Sequence, residues 1–174
     1  DPAATNYSPL SQPAARPGCA RPEVLEALSS SNLVQQTAYG ADDYSAAASR
    51  LIAAQLGADF AGEIHFVASG TMANIICIAS CLRPHEAVIA VESGHIVARE
   101  AGAIEATGHK LITVPAVHGK ITPAHIDKAF QANAHFPHMA MPKLVYLSNA
   151  PETGTVSTLA ELQAPPALAT ARGL

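Results

Sequence analysis

The segment Ser69-Gly70-Thr71 sets two hydroxyls around a glycine, directly ahead of an apolar run with helical spacing through Ile75, Ile76, Ile78, Ala79 and Leu82. Between a strand and a helix, such a turn aims its hydroxyls and the free amides of the first helical turn at one spot, where the helix dipole adds positive potential. That is the chemistry of a phosphate seat, and the glycine permits close backbone approach. The plainer alternative is a Thr N-cap after a tight turn. The segment is neither a P-loop nor a GxGxxG fingerprint. A second cluster is Ser93-Gly94-His95-Ile96, with Glu100 five residues on. An imidazole there could stack on a flat cofactor or shuttle protons, or simply be a solvated or capping histidine. A third is Ser148-Asn149-Ala150-Pro151-Glu152-Thr153-Gly154-Thr155, in which Asn149 and Glu152 could reach a shared crevice or serve only as turn formers. His135 and His138 lack a third ligand, and Cys77 and Cys81 sit at core-packing spacing, so no metal site is expected.

These clusters need elements to hold them. Ile64–Val67, Ala87–Val91, Lys110–Val114 and Lys143–Ser148 read as strands, alternating with helices from Ser69 to Leu82, Ile96 to Thr107, Thr122 to Ala132 and Thr158 onward. Pro165 and Pro166 are expected to kink or interrupt the last helix. Alternation of this kind predicts an α/β fold, a mostly parallel sheet with helices on both faces. Ligands of such sheets bind at the carboxyl ends of the strands, where all three clusters fall. Ahead of this region, Pro22 opens a short helix, and a second one with Leu51, Ile52, Gln55 and Leu56 on its repeat stops at Gly57. Residues 1–22 carry five prolines and read as an arm.

Composition narrows the function classes. The chain has 174 residues, 49% hydrophobic and 14% charged, far from the signature of disorder. A formal charge of -4 supplies no basic field, and Trp is absent with aromatics at 5%, so nucleic acid is not an expected partner. No apolar run approaches the ~18 residues of a membrane span. Three cysteines make no disulfide framework, and the N-terminus lacks a signal-peptide layout, which together favour the cytoplasm.

In order, Tyr39-Gly40 with Asp42 or Asp43, Ser69-Gly70-Thr71-Met72-Ala73-Asn74, His95-Ile96 with Glu100-Ala101-Gly102-Ala103, Gly119-Lys120, and Leu147-Ser148-Asn149 with Glu152 and Gly154-Thr155-Val156 resemble the threonine aldolase branch of the β-eliminating lyase family. Members are fold type I pyridoxal-phosphate enzymes, and the resemblance runs from about Pro22 to the end. It implies that pyridoxal 5'-phosphate is the cofactor, its phosphate held by Ser69, Gly70 and Thr71. His95 would stack on the pyridine ring and, supported by Glu100, act on the proton of the substrate hydroxyl. Tyr39 would reach a neighbouring subunit's site in a homodimer or homotetramer, with Asn149 and Glu152 at the substrate or interface. The implied reaction is retro-aldol cleavage of a β-hydroxy-α-amino acid, such as threonine, to glycine and an aldehyde.

The chain departs from the family at several points. Pro13-Ala14-Ala15-Arg16 stands where relatives carry a Ser-Asp-Asn/Thr segment, Pro151 stands where Thr is common, and Ser157 where Tyr often occurs. The Asp-Gly-Ala-Arg segment and the Schiff-base lysine, which follow in the family, have no counterpart before Leu174, and none of Lys110, Lys120, Lys128 or Lys143 is expected to replace that lysine. The expectation is therefore an arm over 1–22 followed by an incomplete large domain over 23–174, inactive by itself. Two other readings stay open: an aromatic amino acid β-lyase of the same fold, or an inactive α/β fragment serving as an oligomerisation or anion-binding module.

Overall fold

The computed structural model describes residues 20–171, so most of the expected arm lies outside the described residues. Two compact units divide the chain, one ending at Ala68 and the other beginning at Ser69. In the first, α1 (Pro22–Ser31) opens on the expected proline with Glu23 in its first turn. Helix α2 (Asp43–Leu56) is capped by Asp42, whose Oδ1 accepts the Ser45 N–H at 2.8 Å, and Gly57 at φ 103° ends it. Neither helix buries a residue. Residues 64–67 form no strand, against the sequence expectation. Their β-branched and aromatic composition finds no ladder partner among the described residues, and Phe66 and Val67 stay exposed; a strand exists only where its amides are paired.

The second unit alternates as expected. It runs α3 (Gly70–Cys81), β1 (Glu86–Val91), α4 (His95–Ala98), a 3-10 turn (Glu105–Thr107), β2 (Lys110–Val114), α5 (Pro123–Ala132), β3 (Met141–Val145) and α6 (Leu159–Ala171). The three strands are parallel in the order β2-β1-β3. Central strand β1 is buried throughout, and its alternation sorts two cores. Ala87, Ile89 and Val91 pack with Ile126 and Ala129 of α5 and with Leu168 of α6. Val88 and Ala90 pack with Ile78 of α3, Ile96 of α4 and Ile104. Helices therefore cover both faces.

Three boundaries differ from the sequence reading. The expected helix over 96–107 stops after Ala98, where Arg99 leaves helical torsions at φ -132° and ψ 3°, and Ala101 and Gly102 beyond it are left-handed, at φ 50° and 78°. Strand β3 begins two residues before Lys143 and ends at Val145; Pro142, which has no N–H to give, coincides with a register slip against β1. Pro165 and Pro166 lie within α6, which continues to Ala171 although two rungs of its ladder lack a donor.

Candidate active site

Because β1 lies between strands that follow it in sequence, the chain leaves its carboxyl end toward β2 and arrives at β3 on the opposite side. The loops after β1 and β3 diverge there, the arrangement that opens a crevice in parallel sheets. A cavity of about 660 Å3 occupies this place, lined by Val91, Gly94, Tyr146, Ser148, Lys120 and Glu152 among others.

The N-terminus of α3 is only partly capped. Ser69 is its cap, the Oγ accepting the Met72 N–H at 3.1 Å, so the capping hydroxyl is that of Ser69 and not of Thr71. The Ala73 N–H is taken by the Ser69 carbonyl at 3.1 Å. The Gly70 and Thr71 amides, first in the helix, have no acceptor among the described residues. A methyl group added at Gly70 would meet no atom within 4 Å, so the space beside this residue is open.

His95 begins α4 immediately after Gly94, where a side chain would press against the Val91 carbonyl at 3.0 Å. On an unbroken helix His95 and Glu100 would point about 140° apart. The break at Arg99, with φ -132° and ψ 3°, takes Glu100 off the helical path and lets its carboxyl meet His95. The irregularity that contradicts the predicted helix is thus what forms the pair. The His95 Nδ1–H donates to Glu100 Oε1 at 2.7 Å, with the histidine side chain 42% exposed and the glutamate side chain fully buried. A carboxylate at Nδ1 fixes the neutral tautomer and leaves the Nε2 lone pair for a substrate. Asn74, one turn into α3, donates through Nδ2 to the same oxygen at 2.6 Å.

The loop after β3 is clasped rather than open. Asn149 Oδ1 accepts the Ser157 N–H at 3.0 Å, which makes Asn149 a brace of the loop. Glu152 is half-buried at the cavity wall. The hydroxyls of Thr153 and Thr155 donate to the His118 carbonyl at 3.1 and 2.7 Å. The next residue, Gly119, has φ 78°, and a Cβ there would collide with the Thr153 hydroxyl. Lys120 does line the cavity, but its Nζ is bound to both Glu161 oxygens. The Thr158 N–H first, and Lys120 after it, hold the Glu161 carboxyl down at about 2. Lys110 opens β2, at the end of the strand away from the crevice. Tyr39 belongs to the first unit, fully exposed with φ 63°.

Ser69, Gly70, Thr71, Asn74, His95 and Glu100 thus share one unit, linked through α3 and the turn after β1. Asn74 was not singled out for a role by the sequence. Its signal in the sequence is its place at the end of the Ser69–Asn74 segment that carries the family resemblance, while its partner lies 26 positions away.

A family model, that of the beta-eliminating lyases, matches residues 20–174. Among curated relatives, the low specificity L-threonine aldolase of Pseudomonas aeruginosa is 35% identical over 147 residues, covering 82% of this chain and 41% of the relative. That of a Pseudomonas sp. is 32% identical with the same coverage. A solved structure of Leishmania major threonine aldolase superposes with a TM-score of 0.83 at 43% identity, over 88% of this chain and 44% of the other. The chain spans about two fifths of the length of the curated relatives it matches.

Proposed function

On the premise that this chain belongs to the beta-eliminating lyase family, we propose that it forms the N-terminal part of a pyridoxal-phosphate-dependent aldolase. The reaction we assign is cleavage of a β-hydroxy-α-amino acid, threonine-like, to glycine and an aldehyde. The observation that carries this reading is the His95–Glu100 pair, a base with a fixed tautomer, in one unit with the open helix N-terminus at Gly70.

The seat suits the cofactor's phosphate: two unclaimed amides, the Thr71 hydroxyl and an unfilled space stand at the positive end of a 12-residue helix. Bound there, pyridoxal phosphate would supply an electron sink for the carbanion left when the Cα–Cβ bond breaks. The chain's own residues do the rest. Gly70 and Thr71 bind the phosphate while Ser69 holds the helix end in shape. His95 Nε2 accepts the proton of the substrate β-hydroxyl, and Glu100 balances the charge that arrives on the ring. Glu152 and Ser148 line the cavity and, by likeness to the family, would meet the substrate or the subunit interface. By likeness to the family, the Schiff-base lysine is contributed from outside these residues, Tyr39 serves a neighbouring subunit in a homodimer or homotetramer, and the assembly works in the cytoplasm. Among the described residues no helix is long and apolar enough to cross a membrane.

The test is an assay of the complete protein, loaded with pyridoxal phosphate, on L-threonine and other β-hydroxy-α-amino acids. Equimolar glycine and aldehyde are expected, with His95→Asn reducing kcat by about 10²-fold or more. Release of ammonia and pyruvate from an aromatic amino acid instead would reassign the site to a β-lyase, and absence of any turnover would leave an anion-binding module.

A further inference from the structure

Glu100 presents a problem the proposed mechanism does not solve. Its side chain is fully buried, and Oε2 meets no hydrogen-bond partner among the described residues. All of its hydrogen bonding falls on Oε1, which receives both the His95 Nδ1–H and the Asn74 Nδ2–H. A carboxyl group held at one oxygen by one neighbour can swing about its terminal torsion, a broad and roughly two-fold rotation. Held by two donors from different elements, it cannot. Asn74 approaches from α3 and His95 from the turn after β1, so the two bonds fix the carboxyl plane between them.

We propose that Asn74 is the positioning residue of the His95–Glu100 pair: its amide pins Glu100 Oε1 opposite His95 Nδ1 and thereby keeps the Nε2 lone pair directed outward. Asn suits the task by charge as well as shape. A neutral donor steadies the buried carboxylate without competing for the role of the imidazole, whereas a cation at this position would pair with Glu100 and release His95. The short Asn side chain also leaves no slack, since it rises from a helix whose next turn is anchored in the core by Ile78. The assignment rests on the reading of His95 as the proton carrier, but its geometry stands independently of any reaction.

The decisive measurement is the tautomer of His95, read from its ring nitrogens by NMR in the full chain labelled with 15N-histidine, at a pH where the ring is neutral. The unmodified chain is expected to show the Nδ1–H form alone. Asn74→Ala should give a mixture of both forms with the fold intact by circular dichroism, and Asn74→Gln, which keeps the amide, should recover most of the Nδ1–H form. A pure Nδ1–H form in Asn74→Ala, or a mixture in the unmodified chain, overturns the proposal. Should Asn74→Ala fail to fold, the Asn74 side-chain amide of the unmodified chain decides: slow hydrogen exchange is expected, and exchange as fast as a surface amide refutes the bond. In the complete enzyme, Asn74→Ala should lower kcat roughly tenfold with KM nearly unchanged. A fixed tautomer in a protein without aldolase activity would remove the proposed function and leave the role of Asn74 standing; activity with a mixed tautomer would do the reverse.

Discussion

Lys120 Nζ reaches both carboxylate oxygens of Glu161, at 3.0 and 2.9 Å, across 41 positions of sequence. The same glutamate completes a capping box, with Glu161 Oε2 accepting the Thr158 N–H at 2.7 Å while Thr158 Oγ1 accepts the Glu161 N–H at 3.3 Å. One side chain therefore starts α6 and ties it to the loop after β2.

The Glu161 carboxyl lies at about 2, below its ordinary 4.5, with the Thr158 N–H as the leading cause and Lys120 next. A depressed carboxylate contributes stability that is complete above its unfolded value and is lost as pH falls through the folded one. We expect the α6 start to hold above about 4.5 and to loosen toward about 2. A side-chain NMR titration checks it. Lys120→Met should raise the midpoint only part of the way, since Thr158 still acts; a midpoint at the ordinary value in the unmodified chain would refute the network.

Gly70 and Gly119 are glycines for opposite reasons. Gly119→Ala sets a side chain at φ 78° against Thr153, and should cost ~2 kcal/mol or more in a denaturation experiment. Gly70→Ala meets nothing, so thermal stability should hold. Its methyl group would instead occupy the anion's approach, weakening inorganic phosphate or pyridoxal phosphate binding by about tenfold in a fluorescence titration. Loss of stability with unchanged binding would show that the space at Gly70 is not a seat.

Ser69→Ala removes the α3 cap and should destabilise the chain by ~1 kcal/mol. Ser69→Asp offers a replacement cap with a negative charge. It should restore the melting temperature while depressing phosphate affinity below that of Ser69→Ala, because the new carboxylate faces the bound anion. Equal affinities in the two variants would place the anion elsewhere.

Glu100→Gln keeps the size of the buried side chain and removes its charge. In the complete enzyme kcat should fall by roughly 10-fold or more, since the imidazolium loses its counter-charge, while pyridoxal phosphate affinity measured at equilibrium should stay within about twofold, as no phosphate contact is altered. A parallel collapse of affinity would indicate that Glu100 supports the fold of the seat instead.

The alternation of the second unit was legible because each strand is a short apolar run and each helix carries its own punctuation. Lys110–Val114 appears with the expected limits, and Thr122 caps α5 before Pro123. Residues 64–67 misled because strand composition says nothing about whether a partner is at hand. The helix expected through Thr107 misled because its apolar spacing continues past Arg99 and the Ala101–Gly102 turn, and only the torsions reveal the break. Within the site, Ser69, Gly70, Thr71, His95 and Glu100 were named from type and order. Asn74 required the third dimension, and Asn149, named for its polarity, is committed to the Ser157 amide.

Helix α3 carries the Gly70 and Thr71 amides at its tip and Asn74 about 6 Å further along the same rod. One helix therefore carries both the unclaimed amides and the amide that holds the Glu100 carboxyl against the ring of His95. Orientation of the His95 ring is then built into the fold ahead of any ligand, because both bonds to Glu100 Oε1 are already made.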